Sequence, residues 1–269
     1  MRRGAPLRIA FGVLVAATLA FALMPSLVVV VTAFGEKSLL MFPPDAFSTK
    51  WFVRAWTYED FRNGIRNGLL VTAWASGIAL VVGTLAAFVI DRFRFRGRDV
   101  LETVLLSPLV IPHFTFGVGF LILASAVGMS RTVSVVVFCH VILVLPFVMR
   151  SVYVSLKNID PMLERAAASL GARPLQVFLR VDLPLLAPGL AGGWLFAAIL
   201  SFNEFTATLF VTGQRTQTLP VAMYTYVREY ADPTMAALST MLIAATAFAL
   251  VLANRFLGLD RILSIQAGH

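Results

Sequence analysis

Long apolar blocks dominate the chain and alternate with short charged segments. Six of these blocks are long enough to cross a lipid bilayer as helices, which takes about 20 mostly apolar residues. They cover residues 9–34, 69–90, 103–127, 133–153, 186–212 and 235–257. The pattern predicts an all-α fold in which residues 9–257 form one domain, a bundle of six transmembrane helices. The first block exceeds the apolar core of a cleavable signal peptide, so we expect it to remain as a span.

The composition agrees with a membrane protein. Of the 269 residues, 59% are hydrophobic and 13% are charged, whereas soluble domains carry about 25% charged residues. The net charge of +8 reflects topology, because most basic residues fall in segments that the positive-inside rule places in the cytoplasm. These are residues 1–8, the loop after the second block, the segment after the fourth block and the tail 258–269. We therefore expect cytoplasmic termini, contact with membrane lipid and no nucleic-acid partner.

Two short patterns predict local structure. In the external loop 35–68, residues 51–56 carry tryptophan and phenylalanine at helical spacing, which indicates a short amphipathic helix or a pair of interfacial anchors. Gly189, Gly192 and Gly193 stand at the start of the fifth block. Such small residues favour close packing of helices in a membrane.

The segment 160–184 between the fourth and fifth blocks is too charged to be a span. Asp160 and Pro161 are typical of a helix start, and Gly171 suits the left-handed position that ends a helix. Pro174 can open a second short helix. Taken alone, this pattern fits equally a linker on lipid headgroups and an element that docks on another protein.

The same segment carries two alanines, a glycine and a closing Val-x-Leu-Pro sequence at fixed spacing, with Arg165 directly before the alanines. This pattern resembles the EAA loop of ABC-importer permeases, in which a glutamate occupies the position of Arg165. The positions carried over are Glu164, Arg165, Ala166, Ala167, Gly171, Val181, Leu183 and Pro184. Further stretches, such as "PLVIPHFTFGVGF" (108–120) and "LSFNEFTATLFVTG" (200–213), are similar to polyamine-type permeases, closer to the PotC-like than to the PotB-like subunit.

The resemblance implies a type I importer permease with the MetI-like fold in a bacterial inner membrane. It also implies four kinds of partner contact: a homologous PotB-like permease, two ABC ATPase subunits, an extracytoplasmic solute-binding protein and lipid. Segment 160–184 would then be the ATPase-coupling element. The chain has no G-x-x-x-x-G-K-[ST] phosphate loop, so we expect ATP to be used by a partner and the chain to need no cofactor. Its three histidines lack metal-ligand spacing and no G-x-S-x-G motif occurs, so we expect neither a metal site nor enzymatic catalysis.

Glu204 is the one acid well inside an apolar block. A charge there costs about 3 kcal/mol unless it is hydrated or paired. On a continuous helix it would share a polar stripe with nearby hydroxyls, which suits a translocation path for a solute with donor groups. The candidate path residues are Ser201, Asn203, Glu204, Thr208 and Thr212. The alternative is that the Glu204 carboxylate fixes packing against a partner subunit. We expect His113 and His140 to be satisfied interior groups rather than proton relays.

The residue before Glu204 bears on the substrate class. In polyamine-type relatives the residue before this acid is often a second acid, whereas this chain has Asn203. A polyamine is the leading substrate, and opines, aminophosphonates and amino-acid derivatives are alternatives. A secondary transporter or channel in which Glu204 couples to an ion is the competing class. The sequence offers neither an inverted repeat nor a recognisable pair of broken helices in its favour.

Overall fold

The computed structural model describes the backbone of residues 5–257 and, within that range, all side chains except those of 5–7, 9, 249, 250 and 252–257. In this range, regular structure is helical apart from one bridge between Gly35 and Phe47. The α-helices are α1 Ala5–Thr32, α2 Lys50–Thr57, α3 Glu59–Arg92, α4 Arg98–Leu106, α5 His113–Ala126, α6 Val133–Lys157, α7 Pro161–Ser169, α8 Pro174–Val177, α9 Leu183–Asn203, α10 Thr208–Val211, α11 Leu219–Glu229 and α12 Thr234–Leu257. The all-α prediction is confirmed. Residues 1–4 of the predicted N-terminal segment and the whole predicted tail 258–269 lie outside the described residues.

The described residues form two compact units, residues 62–222 and residues 5–61 with 223–257. Helix α6 is the central element of the first unit. Thr132 caps its start, since the Thr132 side-chain hydroxyl accepts a hydrogen bond from the Val135 backbone N–H. The helix is the most deeply buried of the candidate spans. One apolar cluster joins α6 to α3 and α9, and a second joins it to α3, α5 and α10.

Helices α6 and α9 approach closely because small residues line their contact. A Cβ atom added at Gly189 would overlap the Ser155 side chain, and one at Gly193 would lie 3.1 Å from Ser151 Cβ. The Ser151 hydroxyl also donates a hydrogen bond to the Gly189 carbonyl at 2.9 Å. The predicted packing role is confirmed for Gly189 and Gly193. For Gly192 it stays a prediction, because an added Cβ would meet no atom of this chain within 4 Å.

The second unit contains α1, α2 and α12. The amphipathic helix predicted in the external loop is present as α2, which buries Trp51 and Ala55. The Trp51 indole donates from Nε1 to the Gly35 carbonyl at 2.7 Å, and this bond holds the chain that follows α1 against α2. The Arg54 guanidinium lies 3.2 Å from the Asp232 carboxylate, which ties α2 to the start of α12.

Four predicted blocks match single helices, namely α1, α3, α6 and α12. In the described residues, four helices are long and apolar enough to cross a membrane, or five if one bent pair forms a span; the apolar part of α12 within that range, Thr234–Phe248, is shorter. The predicted count of six spans is therefore not confirmed by helix length and composition. The helix that corresponds to the fifth predicted block starts before that block. It runs without a stop from α8 through a π-helical turn, Phe178–Asp182, into α9.

The prediction of a continuous third helix over 103–127 is wrong. Helix α4 runs into a 3-10 turn, Ser107–Leu109, the chain then breaks, and α5 leaves at 106° to the first part. Pro112 is the residue just before α5, with an extended ψ of 131°. Proline lacks a backbone N–H and disfavours a helical residue before it, so the break falls where the sequence cannot continue a helix.

The prediction of a continuous fifth helix over 186–212 is also wrong. Helix α9 ends at Asn203, Glu204 has an extended ψ of 120°, and the short helix α10 starts only at Thr208. The Glu204 carboxylate accepts a hydrogen bond from the Ala207 backbone N–H at 2.7 Å. A side chain that takes a backbone donor in this way competes with the helical hydrogen bond and stabilises the turn.

Candidate functional site

The two helix breaks of the unit 62–222 meet at a pair of ionisable side chains. His113 is the first residue of α5, directly after one break, and Glu204 opens the other break. His113 Nδ1 lies 2.8 Å from Glu204 Oε2. The Glu204 side chain is 11% exposed and that of His113 is 45% exposed, so the acid is nearly enclosed while the imidazole borders open space.

The backbone around Glu204 is held in place by close packing. A Cβ atom added at Gly117 would lie 2.7 Å from Ala207 Cα, so α5 can pass the turn after Glu204 only with glycine at that position. One turn further, the Phe114 and Phe210 rings make an edge contact with centroids 4.9 Å apart. These contacts fix the distance between the two breaks and therefore the distance between His113 and Glu204.

His140 is a buried group that joins three helices. It is 1% exposed; its Nδ1 lies 2.9 Å from Ser201 Oγ and its Nε2 lies 2.8 Å from Thr208 Oγ1. The expectation that His140 is a satisfied interior group is confirmed. The same expectation for His113 is wrong, because His113 is exposed and paired with Glu204.

The predicted polar stripe on one helix is wrong, because the helix ends before Glu204. Ser201 and Thr208 are buried and face His140, and the Thr212 hydroxyl donates to the Thr208 carbonyl at 2.8 Å. Asn203 is exposed, and its side-chain amide donates to the Ile199 carbonyl. In this structure the hydroxyls therefore line the protein interior, and Glu204 and Asn203 are the members of the set that reach less enclosed space.

A small cavity of about 50 Å³ lies beside Glu204. Its polar lining consists of His113, His140 and Glu204, and the rest is aliphatic or aromatic. This volume holds about one or two waters or a single ammonium group and is far too small for a whole organic solute. The cavity can therefore bind one polar end of a solute, provided that the remainder lies outside it.

Sequence reasoning missed His113 as the partner of Glu204. A signal was present, since Ile111 and Pro112 predict a helix break and an ionisable residue follows at once. The structure also overturns one argument used against an ion-coupled transporter, because the unit does contain two broken helices.

The segment 160–184 folds as two helical parts with a turn between them. The Asp160 carboxylate caps α7 by accepting from the Met162 N–H at 2.8 Å. Gly171 has a φ of +87°, which confirms the predicted left-handed ending. The Arg173 backbone N–H then donates to the Gln176 side chain at 2.8 Å at the start of α8. The second part differs from the predicted separate helix, since it continues through the π-helical turn into α9.

One ion pair joins α7 to the end of α3. The Arg92 guanidinium contacts the Glu164 carboxylate, and its Nε lies 3.6 Å from Asp91. Asp91 in turn lies 2.7 Å from Lys157 Nζ at the end of α6. Burial raises the pKa of Glu164 above its ordinary value, and the positive charge of Arg92 offsets part of that rise. Arg165, the residue at the motif's glutamate position, is exposed.

Known proteins similar to this chain are transport proteins. The family described as "Binding-protein-dependent transport system inner membrane component" matches residues 79–259. The spermidine/putrescine transport system permease protein PotC of Escherichia coli (strain K12) is 27% identical over 254 residues, covering 94% of this chain and 96% of PotC. The putrescine transport system permease protein PotI of the same strain is 31% identical over 232 residues, covering 84% of this chain and 82% of PotI. The sulfate transport system permease protein CysT of Salmonella typhimurium (strain LT2) is 29% identical over 193 residues, 66% of this chain and 70% of CysT.

Solved structures show the same fold. A bacterial ABC transporter involved in the import of the acidic polysaccharide alginate aligns with a TM-score of 0.73 and 17% identity, covering 95% of this chain and 98% of the other. The MetNI methionine ABC transporter in an inward-facing conformation aligns with a TM-score of 0.56 and 22% identity, covering 80% of this chain and 96% of the other. The predicted fold class is thereby confirmed, apart from the number of spans.

Proposed function

Because the chain belongs to the family of binding-protein-dependent transport system inner membrane components, we propose that it is the permease subunit of an ATP-driven importer for a cationic organic solute of the polyamine type. The observation that carries this proposal is the Glu204–His113 pair at the meeting point of two helix breaks. An acid at this depth needs a partner. A primary ammonium is the solute group that could take the place of His113.

Sequence likeness and site chemistry both favour an amine substrate. PotC and PotI are named for spermidine and putrescine, and the cavity beside Glu204 has room for one ammonium. The methylene chain of a diamine would lie outside this cavity. Opines, aminophosphonates and amino-acid derivatives also carry a protonated amine, so they remain the alternative substrates.

We propose that Glu204 and His113 exchange partners during transport. Without solute, the carboxylate is satisfied by the imidazole and by the Ala207 N–H. When a solute ammonium enters, it replaces the imidazole, and the exposed His113 ring turns towards water. The backbone bond from Ala207 keeps the carboxylate in place through this exchange, so the site does not have to reorganise. Ser201, Thr208 and Thr212 then support the turn from behind instead of contacting the solute.

The importer would contain further subunits. A second, homologous PotB-like permease would cover the exposed apolar surface of this chain, two ABC ATPases would bind on the cytoplasmic side, and a solute-binding protein would deliver the solute from outside. The fold likeness to an alginate ABC transporter crystallised with its ligand-bound periplasmic protein supports such an assembly. We place the chain in a bacterial inner membrane with both termini in the cytoplasm, and we propose that ATP is used by the partner.

Segment 160–184 would couple the ATPase to the permease. Its capped helix, its left-handed glycine and its ion pair to α3 make a firm element at the ends of three long helices. Motion imposed on α7 would reach α3 through Arg92, and motion imposed on α8 would reach α9 through the unbroken π-helical turn. The second break, which holds Glu204, lies at the far end of α9.

Reconstitution tests the proposal directly. The complete importer is placed in proteoliposomes with its binding protein, and uptake of radiolabelled putrescine and spermidine is measured with and without ATP. We expect uptake that requires both ATP and the binding protein and that unlabelled diamines suppress. Uptake of anionic solutes alone would contradict the substrate class. Uptake driven by a proton gradient without ATP would instead support the ion-coupled transporter.

A further inference from the structure

The coupling segment 160–184 is electrically neutral in sequence but not on its surface. It contains three acids and three arginines and no other charged residue. The fold uses the two sets differently, because every acid is engaged within the chain or buried, whereas the arginines point outwards. The surface left for a partner is therefore cationic and apolar.

Each of the three acids has a structural position. The Asp160 carboxylate caps α7 through the Met162 N–H. The Glu164 carboxylate is paired with Arg92 of α3. Asp182 is 3% exposed, at the π-helical turn that leads into α9. A partner that approaches this segment would thus meet one exposed acid, the capping residue Asp160, against three exposed arginines.

The arginines lie on the accessible side. Arg165, Arg173 and Arg180 are all exposed, and their side chains have no hydrogen-bond or ion-pair partner among the side chains described in residues 5–257. Large apolar side chains lie exposed between them, with Leu170 at 89% exposure just before the turn at Gly171. The other members of this apolar set are Met162, Leu163, Leu175 and Leu179.

We propose that this surface docks into an apolar groove on the ATPase partner that carries carboxylates facing Arg165 and Arg173. The inference rests on the proposed function and adds the chemistry of the partner's side. Exposed arginines without partners gain most from planar, bidentate contact with a carboxylate. The exposed apolar side chains on both sides of the tight turn form a protruding surface. A groove on the partner would bury more of this apolar area than a flat surface would.

Anionic lipid headgroups are the other occupant with matching charge, and the geometry favours a protein. The Glu164–Arg92 pair and the left-handed turn hold α7 rigidly against α3, whereas a lipid contact would need only a free amphipathic stretch. The exposed leucines are spread over both sides of the turn at Gly171, so they do not lie on a single helical stripe.

Binding measurements test the charge of the partner. The full chain, assembled with its permease partner in phosphatidylcholine nanodiscs, is titrated with the ATPase subunit of its own transport system at several salt concentrations. We expect Arg165→Gln to weaken binding about tenfold and to reduce its salt dependence, and Arg165→Glu to weaken it further. Arg62→Gln removes an equally exposed arginine outside the segment and should leave binding unchanged. Equal or tighter binding of Arg165→Glu would overturn the proposal.

Zero-length cross-linking locates the carboxylates. A lysine can be joined to a carboxylate by a carbodiimide only when the two groups touch, so Arg165→Lys and Arg173→Lys report their neighbours. We expect each to form a cross-link to an aspartate or glutamate of the ATPase, found by mass spectrometry, and Arg62→Lys to form none. Absence of cross-links from both segment variants, with the ATPase bound, would overturn the proposal.

A fluorescent label on this surface distinguishes contact with the ATPase from contact with lipid. Cys139 is the single cysteine and is buried, so Leu170→Cys can be labelled selectively. We expect the bound ATPase to protect this label from iodide, with no quenching by brominated lipids. Quenching by brominated lipids when the ATPase is bound would assign the surface to the membrane and overturn the inference. If no ATPase binds the wild-type complex at all, the proposed function itself fails; binding that ignores the arginines refutes only the charged groove.

Discussion

His113 Nδ1 lies 2.8 Å from Glu204 Oε2 although 91 positions separate the two residues in the chain. The contact exists because α5 begins and α9 ends at neighbouring places, and each break exposes an ionisable side chain. The pair is therefore a consequence of the two broken helices.

Glu204→Gln tests the role of the carboxylate in transport. The change keeps the side-chain shape and its contact with the Ala207 N–H but removes the charge. For a cationic solute, we expect uptake in proteoliposomes to fall about tenfold for each 1.4 kcal/mol of lost interaction. Basal ATPase activity serves as the control for assembly, and Thr115→Ala as a neutral exposed variant near His113. Unchanged uptake would remove Glu204 from the path, and loss of the whole complex would favour a packing role.

His140→Ala is expected to destabilise the unit 62–222 by about 2 kcal/mol or more. The variant leaves a cavity and deprives the buried Ser201 and Thr208 hydroxyls of their partner. The buried thiol of Cys139 reports the effect, since it reacts with a maleimide dye only when the helix region opens. Phe138→Ala, at an exposed position of the same helix, should leave the reaction rate nearly unchanged. Equal rates in both variants would show that His140 contributes little.

Gly171→Val is expected to uncouple ATP hydrolysis from transport. A β-branched residue at φ +87° is strained by about 1–2 kcal/mol, so the turn between α7 and α8 should shift. The measured quantity is the number of solute molecules carried per ATP hydrolysed. Gly171→Asn is the matched control, because asparagine tolerates the left-handed region. Normal coupling in the valine variant would mean that the turn geometry does not matter for the ATPase contact.

Arg92 and Glu164 should show energetic coupling in a double-mutant cycle. Arg92→Gln and Glu164→Gln each break the contact between α3 and α7. We expect the double variant to lower the transport-to-ATP ratio no further than the worse single variant, because the second change removes an interaction that is already lost. Strictly additive effects would show that the two residues act independently.

Gly189→Ala is expected to weaken the contact between α6 and α9. The added methyl group would overlap the Ser155 side chain, which outweighs the roughly 1 kcal/mol that alanine gains over glycine in a helix. The melting temperature in detergent should fall, and Ser155→Gly should restore part of the loss. Gly192→Ala, where the methyl group meets no atom within 4 Å, is the control and should be neutral or stabilising.

The sequence alone determined the helical class, the positions of most helices and the local form of the coupling segment. These features depend on short-range physics. Apolar blocks of span length favour helices in lipid, Asp160 and Pro161 favour a helix start, and Gly171 tolerates a left-handed turn, as its φ of +87° confirms. The spacing of the motif in segment 160–184 also indicated the family.

Only the tertiary structure decided which polar groups meet. Pro112 was a signal for a helix break, although a continuous helix was predicted there, and the angle of the break and its approach to Glu204 depend on how α5 packs against α10, with Gly117 at the contact. The break after Asn203 has no proline; it is stabilised by the Ala207 N–H, which donates a hydrogen bond to the Glu204 carboxylate. Local helix propensity contains no information on packing between residues distant in sequence, or on a side chain that competes with the backbone for an N–H donor.

The tertiary structure also decided which charges of the coupling segment remain accessible. Its sequence contains equal numbers of acids and arginines, so the sequence does not predict whether its surface charge is positive or negative. The fold turns Glu164 towards Arg92 and buries Asp182, while Arg165 stays exposed. A charge acts on a partner only where it remains accessible and unpaired, and that is fixed by neighbours distant in sequence, here Arg92 at the end of α3.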